Sequence, residues 1–388
     1  GKDYVKCIVY FTVGGLIHHW MRHGKESIQY LDHAVKYALE AGNVLIAGFS
    51  YCVILESKFI IGTILDELKK EAQQYRSFAR RTKHENLAAN TFIYERHIKS
   101  LANSELDITS VGINDTEEQR IIKLAEGDKA ALAVYYYTKM QICYLMGKYD
   151  DALLYAKKEK ICENSIMGFM ISVEICFYES LTITALYDKL DKNDKKELLI
   201  ILKKNRKRMK AWAEHCPENY LHKYLLIEAE ISRILGNKQK AMDLYDKAIQ
   251  SAYENSYIQN EAIACELAAG FYMNIGRNRI ALTYMSDALR LYKQWGAYAK
   301  VEHLKKCYPD LLTKIDNSKE IGKDILSDKI ADNIILPNTM EEMPEDNEIY
   351  NILNEIECIT EYSVPDEIFQ NLLEALVKIT GSHRGFLI

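Results

Sequence analysis

The chain has 388 residues, 48% hydrophobic and 27% charged, with a net charge of -5. That balance supplies enough apolar surface for a buried core, which excludes wholesale disorder, and it exerts no general pull toward nucleic acid or anionic membrane. Nine scattered cysteines with no CxxC pair point to reduced core thiols in the cytoplasm rather than to a disulfide or zinc framework.

Only one of the five prolines, Pro217, precedes Pro309, so about 300 residues read as helix throughout. In chain order, helices are predicted over 6–22 and 26–41, then 43–60 and 63–81 joined at Gly62, then 84–101 and 117–126 flanking a polar stretch at 103–116. A hairpin follows around Gly147, Tyr149, Ala152 and Tyr155. The next pair spans 166–186 and 195–215 and ends at Pro217. No uninterrupted apolar run is long enough to cross a membrane.

The strongest signal is an internal repeat. Ala229, Gly236, Ala241 and Ala248 are matched forty residues later by Ala269, Gly276, Ala281 and Ala288, with Tyr245 answered by Met285. Glycine closes the last turn of one helix in a left-handed conformation, and the alanines let the next helices approach closely. This order resembles the tetratricopeptide pattern, with a longer period. It implies an all-α fold over 1–312, a right-handed superhelical stack of antiparallel helix pairs, whose inner helices present a long concave surface to partners.

After the repeats the composition changes. Between 316 and 348, ten acidic residues face Lys319, Lys323 and Lys329, with Pro337 and Pro344 interrupting helix, so 313–346 reads as an acidic linker. Two amphipathic helices, a turn from Gly381 through Gly385 and a nascent strand at Phe386 then read as the opening of an α/β domain over 347–388. The chain starts at Gly1 and stops inside an apolar run, as a piece of a longer protein does.

Several stretches resemble the helical region of very large bacterial signalling proteins, which join a Ser/Thr kinase-like domain, an ATPase module, tetratricopeptide-like helices, a GAF sensor and often a histidine kinase. They are His18-His19-Trp20, Glu40-Ala41-Gly42-Asn43, Trp212-Ala213, Cys216-Pro217-Glu218-Asn219-Tyr220, Ala229-Glu230, and Tyr292 through Val301 with Tyr308-Pro309 behind it. The tail from Ile368 resembles the start of a GAF domain. The resemblance implies a cytoplasmic, non-catalytic scaffold that relays signals between an ATPase and a sensor, with neighbouring domains of the same chain as partners. A stand-alone peptide-binding adaptor, which needs a clamp of Lys, Arg and Asn on the inner helices, is the alternative.

Candidate sites are few. His19 and His23 have the i, i+4 spacing of a metal grip, but no third ligand is assignable, and partly exposed helix histidines are the expectation for His18, His19 and His23. His383 has no identifiable partner. Lys203, Lys204, Arg206, Lys207, Arg208 and Lys210 form a basic run, read as a solvated face that can dock an acidic partner domain; no nucleic-acid platform accompanies it. Trp20, Trp212 and Trp295 read as packing rings, with Trp295 also a candidate for the interaction surface. No kinase signature, nucleophile–base pair, cofactor motif or metal set is present.

Overall fold

The computed structural model describes residues 2–83, 85–103, 119, 122, 123, 125 and 127–309, all within one compact unit, Gly1–Pro309. The predicted linker at 313–346, the predicted GAF segment at 347–388 with His383, the stretch at 104–116 and most of 117–126 lie outside the described residues. Among the described residues every regular element is helical.

Helices α1 (Lys2–Thr12), α2 (Gly24–Glu40), α3 (Val44–Ile60), α4 (Leu65–Arg81) and α5 (Glu85–Ala102) come first. Then follow α6 (Lys129–Leu145), α7 (Tyr149–Glu159), α8 (Met170–Leu186), α9 (Lys192–His215), α10 (Pro217–Ile234), α11 (Lys238–Glu254), α12 (Ile258–Asn274), α13 (Asn278–Trp295) and α14 (Tyr298–Cys307). Consecutive helices pack against each other as hairpins, most extensively α10 with α11 and α12 with α13. Pro217 opens α10 at its first turn, where its missing N–H has no intrahelical partner to lose.

One closure recurs at the turns. After α10, Gly236 sits at φ +76°; its N–H bonds to the carbonyl of Arg233 at 3.0 Å, and that of Asn237 to the carbonyl of Ser232 at 2.9 Å. After α12 the same pair forms at Gly276 (φ +76°), to Met273 and Tyr272. This is the Schellman arrangement, which satisfies carbonyls that the helix end leaves open. It also ends α2, α3, α6 and α13 at Gly42, Gly62, Gly147 and Gly296, and it ends α11 at Ser256 (φ +61°) without glycine.

The first predicted helix is interrupted. Where the sequence predicts helix over 6–22, the chain passes from α1 into a π-type turn (Val13–Ile17) and a 3-10 turn (His18–Trp20). Gly14 and Gly15 weaken the helix there, and α2 crosses so closely that a Cβ on Gly14 would lie 2.9 Å from Leu31 Cγ and from the Ser27 carbonyl.

Two kinds of helix alternate. The outer helices α11 and α13 bury one narrow stripe, Ala241, Tyr245, Ala248, Ser251 and Ala252 in α11, and Ala281, Met285, Ala288, Leu291, Tyr292 and Trp295 in α13. The inner helices are buried nearly all round. In α8, fifteen of 17 residues are buried. That helix, carried through to Lys189, is apolar and long enough to match a membrane span, but 83% of the window is buried inside the protein, as befits a core helix.

Among the described residues the inner helices are mostly buried rather than lining the long open surface that the repeat pattern implies. Across the middle α3 packs on α8 and α5 packs on α14, helices far apart in sequence. Several tyrosines, among them Tyr94, Tyr137, Tyr178, Tyr220 and Tyr257, are fully buried. The stack closes on itself between its first and last thirds.

Candidate functional site

The closure is made by a polar seam centred on Asn219, in the first turn of α10. Its side-chain N–H₂ donates to the carbonyls of His19 (2.7 Å) and Arg22 (2.9 Å). Its oxygen accepts from the Gly24 N–H (2.9 Å) and from the Tyr257 hydroxyl (2.7 Å). All the capacity of one buried amide is thus used to fix the segment between α1 and α2 on two helices some 200 residues later. Beside it His19 is buried: Nε2 donates to the Gly168 carbonyl at 2.9 Å, and Nδ1 accepts from the Tyr220 hydroxyl at 2.7 Å. The Trp20 indole N–H shares the Gly168 carbonyl at 3.2 Å, and its ring tilts against Trp212 and Tyr220 at 5.7 and 5.5 Å.

The partly exposed histidines expected here are therefore wrong for His18 and His19, which are buried. Burial holds His19 down to about 3 and, with the nearby Arg22 charge, His18 down to about 4, so both are neutral at physiological pH. His23 is half-buried and bonds to the Asn255 carbonyl through Nε2 (2.9 Å). Among the described residues no group of three or more His, Cys, Asp or Glu gathers as a metal site.

Deeper along the same seam Lys223 of α10, 1% exposed, faces Glu174 of α8 at 3.0 Å. It also donates to His222 Nε2 (3.2 Å), which accepts from Asn260 as well (2.7 Å), and it lies over the rings of Phe177 and Tyr257. Burial lowers the Lys223 pKa and raises that of Glu174, with each partner's charge pulling the other way. Such a pair adds little net stability but fixes which helices meet, because either charge alone would be stranded. Gln259 ties α12 to the end of α3 through the Ile60 carbonyl (2.6 Å). Lys300 ties α14 to Glu266 of α12 (2.7 Å) and to the carbonyl of Leu145.

The repeat residues occupy equivalent places. Ala229 and Ala269, Ala241 and Ala281, and Ala248 and Ala288 are all buried, as are Tyr245 and its counterpart Met285; Gly236 and Gly276 share the same turn geometry. Tyr245 also bonds to Glu230, which holds Arg233 at 2.7 Å. These residues pack the hairpins and offer nothing to a ligand.

On α9 the basic run divides. Lys203, Lys204, Lys207 and Lys210 are exposed. Arg206 grips Glu228 with both ends of its guanidinium, one at 2.9 Å, and Arg208 pairs with Glu163 at 2.8 Å and lies over Trp212. Two arginines therefore anchor the helix while the lysines face outward with exposed Leu199 and Ile200. Trp295 is not part of any surface. It is 1% exposed and packs against Phe59 at 5.7 Å, because the closure of the stack brings α3 over the end of α13.

The spacing of residues gave no hint of the seam, yet three resemblance stretches meet in it: His18-His19-Trp20 sits directly on Trp212 and on Asn219-Tyr220. Lys300, from a fourth, holds α14 to α12 and α6.

Comparison with known proteins supports the helical repeats. The family described as "CHK1-like, TPR repeats" matches residues 117–313, just over half of the chain, and the chain belongs to it. No curated protein matches. Among solved structures, one described as "Circular tandem repeat protein with novel repeat topology and enhanced subunit contact surfaces" is 12% identical over 78% of this chain and 79% of its own, with a TM-score of 0.24, too low for any shared geometry to be drawn from it.

Proposed function

We propose that the chain is a non-catalytic protein-interaction and signal-relay scaffold in a cytoplasmic bacterial signalling kinase, a right-handed stack over 1–312 set between an ATPase module and, beyond an acidic linker at 313–346, a GAF sensor at 347–388. Repeat proteins of this kind act through surface rather than chemistry. The single observation carrying the reading is the closed seam. It joins α10 and α12 to the segment before α2, so a push on one end of the stack is felt as strain at the other instead of dissipating along an open coil. The resemblance stretches falling on that seam support the same context.

The exposed lysines of α9 are the docking face in this reading, and the partner is an acidic domain. The adaptor alternative fares worse, because its clamp would need accessible Lys and Asn on the inner helices, whereas Lys223, Asn219 and Asn260 are buried and bonded within the protein. The test is charge reversal in the intact signalling protein. Lys203→Glu, Lys204→Glu and Lys207→Glu together are expected to change phosphotransfer output while leaving helix content unaltered. Identical output would remove α9 from the relay.

A further inference from the structure

The outward side of α9 carries an apolar turn that the packing of the helix does not use. The helix buries a narrow stripe, Leu198, Leu202, Asn205, Met209 and Ala213. That stripe needs only the first and last of the five aliphatic residues Leu198-Leu199-Ile200-Ile201-Leu202, yet the run wraps apolar side chains around a whole turn. At about 100° per residue, Ile200 stands about 180° from the buried stripe. It is 64% exposed, and Leu199 beside it 37%. Outside their end turns, the outer helices α11 and α13 expose no large apolar side chain. A turn that is apolar all round suits a helix covered on every side; among the described residues this one is covered on one side alone.

The charges around Ile200 are one-sided. Lys196 lies a turn before it, Lys203 and Lys204 a turn after, and Lys207 a turn beyond those, all exposed and on the same side of the helix. Glu197 is the one carboxylate at the edge of this row. Among the described residues the ion pairs of α9 are made by Arg206, Arg208 and Lys210, with Glu228, Glu163 and Glu214, and not by these four lysines. From Lys196 to Lys207 the row runs about 17 Å, three helical turns, with the aliphatic pair inside it.

Complementarity narrows the occupant. An extended peptide adds to a sheet edge, and every regular element among the described residues is helical. A proline-rich segment needs an aromatic groove, and the Trp212 ring of α9 lies under Arg208. A phosphate group or a nucleic-acid strand would use the lysines and leave Leu199 and Ile200 in water. An anionic bilayer calls for a broad apolar face, whereas this patch is one turn long. An acidic amphipathic helix laid along α9 satisfies both parts of the face: its apolar side chains cover Leu199 and Ile200, and carboxylates a turn to either side meet the lysines.

We propose that the partner docked on α9 is an acidic amphipathic helix, seated with apolar side chains on Leu199 and Ile200 and with carboxylates on Lys196, Lys203, Lys204 and Lys207. The inference rests on the reading of α9 as the docking face, and adds to it the shape of what docks and the contact that holds it. The lysines steer and align the helix, and the aliphatic pair supplies a contact that salt does not screen.

The test titrates the whole chain, at physiological ionic strength, against a stapled helical peptide with two leucines one turn apart and glutamates a turn to either side, read by fluorescence anisotropy. Saturable binding is expected. Leu199→Ser with Ile200→Ser should weaken it about tenfold to a hundredfold, and replacing the leucines of the peptide by serine should do the same. Lys203→Glu, Lys204→Glu and Lys207→Glu together should abolish it. All five positions are exposed, and unchanged circular dichroism checks that the variants fold. No saturable binding, equal affinity in the double serine variant, or binding to phosphatidylserine vesicles in preference to the peptide would overturn the proposal. If the lysine reversal changes phosphotransfer output while the serine variant binds the peptide as wild type does, the amphipathic partner falls and the docking face stands. Peptide binding as expected with unaltered output removes the relay role alone.

Discussion

Single side chains in the interior carry unusual protonation demands, and these set how the fold responds to acid. Burial is the leading cause that keeps His19 and His97 down to about 3 and His18 to about 4, and it likewise holds His222 well below its ordinary value. A histidine with a depressed folded pKa contributes stability above its unfolded value near 6.5, and that contribution is lost as pH falls. Glu56 and Glu159, each pushed up to about 7 chiefly by burial, work in the opposite sense: they weaken the fold as pH rises from about 4.5 to 7. Near neutrality the two sets nearly cancel, and below pH 6 the histidines outnumber the acids. Urea unfolding is expected to show stability almost flat from pH 7.5 to 6.5, then falling by about 1–2 kcal/mol per pH unit below pH 6. A chain that grows more stable on acidification to pH 5 would contradict this. None of it was legible in the sequence, because spacing alone placed His18 and His19 on a continuous helix. The π-type turn at Val13–Ile17 and the 3-10 turn at His18–Trp20 break the phase of a continuous α-helix, so the face that the spacing assigned to His18 and His19 is not the one they occupy.

Among the helices, hairpin order was legible wherever local chemistry determines it. The left-handed glycines that end α3, α6, α10 and α12, the small residues at Ala241 and Ala281 and the amphipathic stripes of the outer helices are all local signals, and each corresponds to an observed feature. What a turn touches is not local. Gly42 and Gly62 both end helices at positive φ, +71° and +87°, and look alike in sequence. Yet a Cβ on Gly42 would meet nothing within 4 Å, while one on Gly62 would lie 2.2 Å from the Gln259 amide oxygen, brought there by the closure of the stack. Gly42→Ala is expected to cost about 1 kcal/mol, the left-handed penalty alone. Gly62→Ala should cost about 2–4 kcal/mol, because Gln259 must also give up its place against the Ile60 carbonyl. Thermal unfolding of the two variants separates the cases, and equal shifts would mean that α12 does not sit on the end of α3.

For the molecule as a whole, the claim that matters is that the stack is closed. Helix pairing predicts a solenoid, but whether a solenoid stays open or folds back depends on contacts between residues hundreds of positions apart, to which periodicity is blind. The resemblance stretches held that information without revealing it: Asn219 and Tyr220 stand beside His19 because each is needed by the other. Closure turns the inner helices into a core and leaves the outer helices with one face buried and the other exposed.

The most direct measurement is a double-mutant cycle on His19→Ala and Tyr220→Phe, read by urea unfolding at pH 7.5. These residues are 201 positions apart and joined by a 2.7 Å hydrogen bond. The closed stack predicts a coupling energy of about 1–2 kcal/mol. Costs that add to within about 0.3 kcal/mol, as for two independent sites, would show that the first helices do not rest on α10, and the account of a closed scaffold would fall with them.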